Sequence, residues 1–285
     1  MQVFEKKSAL KHCLSLFKKK KKLIGFVPTM GALHDGHLSL IANSIKNNDI
    51  TVVSIFINPT QFNNKEDLEK YPKTLKKDLA LLKGIDCACD IVFVPTIKEI
   101  YADDVISKTY SFDGLESQME GQFRAGHFDG VATIVHTFFE IVKPDTAYFG
   151  EKDFQQLQII KKMVQKNNLP VQVIGCPIFR EEDGLAMSSR NTRLTEKQRA
   201  AAPFIFQTLN VIRAKTATKS IDELTSFVKT EFEKHPVLDL EYFTIAEEST
   251  LLTPEKRDST KTYRAFIAVH AGEIRLIDNI SLSEN

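Results

Sequence analysis

The sequence predicts an α/β chain in which a parallel sheet covered by helices on both faces is followed by a smaller α+β domain. Three observations carry that prediction. Apolar, β-branched runs alternate with helical patterns through the first 175 residues; the texture changes from about residue 176; and the residues with unusual chemistry fall at the carboxyl ends of the runs. In an open parallel sheet those ends are where ligands collect.

The elements follow in order. The lysine block Lys18–Lys22 has no interleaved aromatic residues and reads as a solvated helix end or loop, not a nucleic-acid patch. Behind it, the run Leu23–Val27 delivers the chain to Pro28-Thr29-Met30-Gly31-Ala32-Leu33-His34-Asp35-Gly36-His37. Gly31 and Gly36 permit close backbone approach, and a helix over about 36–48 opens there, so its N-terminal N–H groups and the two histidines form a site for phosphate. The second run, Thr51–Ile57, ends in Asn58-Pro59-Thr60-Gln61-Phe62, and a helical pattern follows over 72–84. After the third run, Asp90–Val94, comes Arg124-Ala125-Gly126-His127-Phe128-Asp129-Gly130-Val131, opening a helix over 128–142. The fourth, Ala147–Phe149, leads into Gly150-Glu151-Lys152-Asp153 and a helix over 153–167 that carries Gln155 and Gln156, and the fifth spans Val171–Ile174. A polar link, Arg180–Gly184, and the stretch Met187-Ser188-Ser189-Arg190-Asn191 precede helical patterns near 195–214 and 220–234 and strands near 239–246, 262–270 and 273–278. The expected domains are therefore 1–175, holding the ligands, and 176–285, acting as a lid or wall.

Composition narrows the function classes. The 285 residues carry 38 Lys and Arg against 37 Asp and Glu, so no overall field selects nucleic acid or an anionic membrane. An anionic ligand must be recognised locally. No apolar run approaches the ~18 residues of a membrane span, and no segment has the apolar core of a signal peptide. Cys13, Cys87, Cys89 and Cys176 have neither zinc-site spacing nor disulfide-scaffold density, so reduced thiols and a cytoplasmic location are expected.

Taken together and in this order, the five chemistry-bearing stretches resemble the pantothenate synthetase family of ATP-dependent ligases, and through it the nucleotidyltransferases and class I aminoacyl-tRNA synthetases. The resemblance spans about residues 23 to 194. It implies a Rossmann-like first domain and a reaction joining pantoate to β-alanine through a pantoyl-adenylate, with release of AMP and pyrophosphate. It also implies a homodimer and ATP handled as its Mg²⁺ complex. On the family pattern, Met30, Gly31, Ala32, Leu33, His34, Asp35, Gly36 and His37 contact ATP, as do Gly150, Glu151, Lys152, Asp153, Phe179, Met187, Ser188, Ser189 and Arg190. His34, His37, Lys152, Ser188, Ser189 and Arg190 stabilise charge during transfer, and His37 carries the family's proton-donor role. Gln61 and Gln156 grip pantoate, with Asn58 beside them and Phe62 and Val131 as apolar wall, while His127 approaches the amine substrate. Asp78 is the one weak candidate for a metal ligand, against a reading as solvated helix face. Two departures stand out: Ala125 replaces a common proline, removing its lock on φ, and Phe179 replaces a smaller aliphatic residue. A nucleotidyltransferase with another acceptor, a binding-only regulator and a truncated aminoacyl-tRNA synthetase are the alternatives. The first is disfavoured by Gln61, Gln156 and 124–131, the second by the full set of charge-stabilising groups, and the third by the near-neutral charge.

Overall fold

The computed structural model describes residues 1–84 and 89–283, so the expectation for Cys87 lies outside the described residues. Six parallel strands, β1 (Gln2–Phe4), β2 (Ile24–Thr29), β3 (Ile50–Ile55), β4 (Ile91–Phe93), β5 (Thr146–Gly150) and β6 (Gln172–Cys176), form one sheet in the order β1-β4-β3-β2-β5-β6. Helices Lys7–Lys19, Asp35–Asn47, Leu75–Lys83, His127–Val142 and Phe154–Lys166 are threaded between the strands. This is the Rossmann-like arrangement expected. The central strands read as continuous apolar runs because both faces are covered. Along β2, Phe26 points into an aromatic cluster with Phe138 and Phe139, joined by Phe56 and Phe93, while its neighbour Val27 packs on the opposite face with Leu40, Ile41, Val53, Leu82 and Val92. The strand order reverses at β2, whose neighbours are β3 on one side and β5 on the other. That switch point sets the ends of β2 and β5 next to each other, where doubly wound sheets bind ligands.

Among the described residues, the elements outside the sequence expectation include an edge strand, the first helix and the short helices Lys65–Lys70, Ile97–Tyr101 and Glu120–Phe123. β1 is a three-residue edge strand with no apolar run, and it exists through its pairing with β4. Helix Lys7–Lys19 buries only Leu10 and Leu14, one turn apart, so its apolar stripe is too narrow to stand out among lysines. Its end at Lys19 places the lysine block on a helix terminus and the turn after it.

The chain divides into two compact units, 1–151 with 156–177 and 152–155 with 178–285. The expected boundary follows residue 175; in the structure Cys176 and Pro177 stay with the first unit and the short segment Lys152–Gln155 joins the second. The second unit is built on an antiparallel sheet, β7 (Asp239–Glu247), β8 (Tyr263–Ala271) and β9 (Ile274–Ser281), in that order. Helices Phe204–Lys215 and Ile221–Glu233 bury Ile205, Leu209, Ile212, Leu224 and Val228 against Ile245, Ile267, Leu276 and Ile280 of one sheet face.

Candidate active site

The histidine loop is held in a conformation that Ala32 resists. Gly31 and Ala32 both sit at positive φ, +83° and +50°, a region that costs a residue with a Cβ about 1–2 kcal/mol. Asp78 holds them there. Its carboxylate, 3% exposed, accepts from Ala32 N (3.1 Å) and Leu33 N (2.9 Å), and from the Thr74 hydroxyl on both oxygens at 3.2 Å. Thr29 Oγ1 adds a second tie, donating to Ser54 O at 2.7 Å and accepting from Gly31 N at 3.2 Å. The expectation for Asp78 is thereby corrected. It is not a solvated helix face but a buried carboxylate whose two oxygens serve the loop. Among the described residues no group of three or more His, Cys, Asp or Glu side chains is placed to hold a metal ion.

The loop delivers His34 as the N-cap of helix Asp35–Asn47, with His37 at its third position. Their ring centroids lie 4.1 Å apart. The His34 backbone N–H donates to His37 Nδ1 at 3.3 Å, the return half of a capping box. A ring nitrogen that accepts carries a lone pair, so in the neutral ring the proton sits on Nε2 and His37 presents an N–H donor.

The turn after β3 forms the next part. Asn58, 1% exposed, donates through Nδ2 to Gly130 O (3.1 Å) and Gln61 Oε1 (3.2 Å), and accepts at Oδ1 from Tyr101 OH (2.5 Å) and Thr60 Oγ1 (3.2 Å). Burial pushes the Tyr101 phenol up, which keeps it the donor. Gln61 Nε2 reaches Met30 Sδ at 3.0 Å, tying this turn to the histidine loop. His127, buried at the start of helix His127–Val142, places Nδ1 2.7 Å from Gln61 O. A carbonyl only accepts, so Nδ1 carries the proton and the neutral ring has its lone pair on Nε2, the opposite tautomer from His37. Gly130 explains how helix and turn come so close: a Cβ there would lie 2.4 Å from Thr60 O and 2.8 Å from Gln61 Cα. Val131 is buried one residue on; Phe62 is half-buried with its ring 5.7 Å from Tyr71. The Ala125 carbonyl accepts from Asn63 Nδ2, and Gly126 closes the turn at φ +74°. Gly150 ends β5 beside Cys176, whose thiol burial and the charge of the following Glu151 push up to about 11, and Gln156 lies half-buried on helix Phe154–Lys166.

In the second unit, Lys152 Nζ lies 4.0 Å from Asp153 Oδ2. Phe179, 39% exposed, and Met187 face each other across a short antiparallel hairpin in which Met187 N donates to Phe179 O at 3.0 Å. Arg180 pairs with Ala186 in the same hairpin. Ser188 caps the short helix Ser189–Arg193, its Oγ accepting from Arg190 N at 3.3 Å. Asn191 fastens this turn through Ala186 O (3.1 Å) and Glu181 Oε1 (2.8 Å), and Glu181 is in turn bound by Arg199 at 2.5 Å. Sequence reasoning missed Tyr101, Glu181 and Arg199, and no local signal marks them, since each acts on a partner distant in the chain.

Fold and loop define a doubly wound α/β protein with a histidine-bearing helix N-terminus at the switch point of its parallel sheet. The family model for pantoate-beta-alanine ligases matches residues 2–281. Pantothenate synthetase of Flavobacterium psychrophilum is 54% identical over 99% of this chain and 100% of its own, and that of Christiangramia forsetii 52% identical over 99% and 100%. Pantothenate synthetase from Thermus thermophilus superposes with a TM-score of 0.91 at 36% identity, covering 100% of both chains. The Francisella tularensis pantoate-beta-alanine ligase, solved with a β,γ-ATP compound and β-alanine, gives 0.81 at 34% identity over 100% of this chain and 99% of that one. The chain belongs to the pantoate–β-alanine ligase family, and its reaction is the acid–amine condensation of pantoate with β-alanine.

Proposed function

We propose that the condensation runs through a pantoyl-adenylate. A carboxylate oxygen of pantoate attacks the α-phosphorus of ATP, forming the acyl–phosphate bond as the bond to pyrophosphate breaks; the amine of β-alanine then attacks the acyl carbon and AMP leaves. Negative charge builds on the phosphates in the first step, and donors fixed in advance stabilise it without reorganisation. The observation that carries this reading is the histidine pair at the N-terminus of helix Asp35–Asn47, with His37 set as an Nε2–H donor. Lys152, Ser188, Ser189 and Arg190 are assigned to the phosphates, and Met30, Gly150, Asp153, Phe179 and Met187 to the nucleoside, on the family resemblance. Gln61 and Gln156 are assigned to pantoate, with Asn58, Phe62 and Val131 around it. His127, whose Nδ1 is held by Gln61 O, is assigned to the amine substrate of the second step on the family resemblance.

Mg²⁺ enters as part of the substrate, held by phosphate oxygens and water. Homodimerisation and a cytoplasmic location belong to the same proposal, the first carried by the resemblance and the second by four cysteines without disulfide spacing. No helix among the described residues is long and apolar enough to cross a membrane.

The test is release of pyrophosphate from ATP with pantoate, with β-alanine, with both and with neither, measuring AMP and pantothenate in parallel. Pyrophosphate that needs only pantoate, with AMP and pantothenate that need both, is the expected pattern. Pyrophosphate release that strictly requires β-alanine would overturn the two-step route.

A further inference from the structure

We propose that Asn279, on the last strand of the second unit, is a positioning residue for Lys152, and that with Asp278 it ties two nucleotide-handling segments to one strand. Successive residues of β9 point to opposite faces. Asp278 shares the helix-covered face with Leu276 and Ile280, and its carboxylate takes a bidentate pair from Arg180, 2.7 Å to Nη1 and 2.9 Å to Nη2. Arg180 also donates to Gly184 O (3.1 Å) and Asn279 O (3.3 Å) and lies 3.7 Å over the Phe206 ring, so the hairpin carrying Phe179 and Met187 is clamped to the strand. On the other face Asn279, 2% exposed, donates through Nδ2 to the Lys152 carbonyl at 3.0 Å.

The orientation of that amide is determined by its second partner. Arg264 Nη1 lies 2.7 Å from Oδ1 of Asn279, and a guanidinium only donates, so the oxygen must face Arg264 and the NH₂ must face Lys152. Arg264 is itself fixed, donating from Nε to Glu248 Oε1 at 2.9 Å and lying 4.1 Å over the Phe154 ring. Asparagine supplies a donor and an acceptor at one reach, which is what a backbone carbonyl on one side and an arginine on the other require. An aspartate would keep the pair with Arg264 and set an oxygen against the Lys152 carbonyl oxygen. The lysine backbone would then shift, and a misplacement of about 1 Å at a charge-stabilising group costs up to ~10²-fold in rate.

This inference rests on the assignment of Lys152 to the ATP phosphates, and the test separates the two. Pantoate-dependent pyrophosphate release is measured for the wild type, Asn279→Asp, Lys152→Ala and the double variant, with thermal melts of each. Asn279→Asp is expected to lower kcat about tenfold or more with the pantoate KM within about twofold, and to have no further effect in the Lys152→Ala background, since residues acting as a unit are non-additive. An equal loss in both backgrounds would show a structural role and overturn the proposal, as would an unchanged kcat in Asn279→Asp alongside a slow Lys152→Ala. A fast Lys152→Ala would instead overturn the phosphate assignment of the lysine, and the positioning role with it. Should Asn279→Asp lack a cooperative melt, Asn279→Ser, too short to reach the carbonyl, enters the same cycle with the same criteria.

Discussion

Replacing Asp78 with asparagine separates two accounts of the histidine loop. In the structure one carboxylate accepts two backbone N–H groups and a hydroxyl, and keeps Gly31 and Ala32 at positive φ. Asparagine has the same shape but one acceptor, so either Ala32 N or Leu33 N must meet an NH₂ group in a buried place. A bond to a charged acceptor contributes about 1.5–3 kcal/mol and an unsatisfied buried donor costs about 1–3 kcal/mol, so a loss of about 2–4 kcal/mol is expected. At roughly 2–4 °C per kcal/mol for a unit of this size, the melting temperature should fall by about 5–15 °C. Because His34 and His37 follow directly, adenylate formation should fall by about 10²-fold even where the protein is folded, which pantoate-dependent pyrophosphate release reads at a temperature well below the melt. Titrating Mg²⁺ distinguishes the accounts: a lost metal ligand would leave the melt unchanged and be rescued by excess Mg²⁺, whereas a lost loop anchor would not. A normal melt with activity restored by Mg²⁺ would refute the reasoning.

Four further outcomes follow from the same geometry. His37→Ala should lower adenylate formation by ~10²-fold or more, the loss typical of one preorganised donor, as measured by pyrophosphate release, while the melt falls by only a few degrees because Nδ1 also accepts the His34 N–H at the helix start. Gln61→Ala should raise the pantoate KM about tenfold while moving that for ATP little; equal changes in both would assign Gln61 to the tie with Met30. Gly130→Ala should destabilise by about 1–3 kcal/mol and weaken pantoate binding, because its Cβ meets backbone of Thr60 and Gln61 that has no rotamer with which to yield; calorimetry and steady-state kinetics check both. Glu223 caps helix Ile221–Glu233, and hydrogen bonds from Lys219 and Ser220 lower its carboxyl from 4.5 to about 2. A lowered folded pKa gives stability that is present above 4.5 and lost as the pH falls toward about 2, so Glu223→Gln should flatten that part of the curve of stability against pH.

How far the site can be read in the sequence depends on whether a group acts on its neighbours or across the chain. The alternation of apolar runs and helical periods marks β2 to β6, most clearly β2, β3 and β4, which are buried on both faces, and the His34–His37 loop is visible because its turn, helix start and histidines are contiguous. Asp78 misleads for the opposite reason. Its flanking lysines, Lys76 and Lys77, signal a solvated face, while the backbone N–H groups it serves lie more than forty positions earlier. Tyr101 on Asn58, and Asn279 on Lys152, are further cases of a buried polar side chain whose meaning lies in a distant partner. For the strand residues the trace is a buried polar pair, Asp278-Asn279, set between Ile277 and Ile280. Burying both is costly unless every donor and acceptor is matched, and the partners that match them, Arg180 and the Lys152 carbonyl, belong to segments that handle nucleotide in the proposed reaction. In this chain, then, a polar pair at a core position of the last strand reads as support for distant chemistry, a meaning that composition and periodicity do not carry.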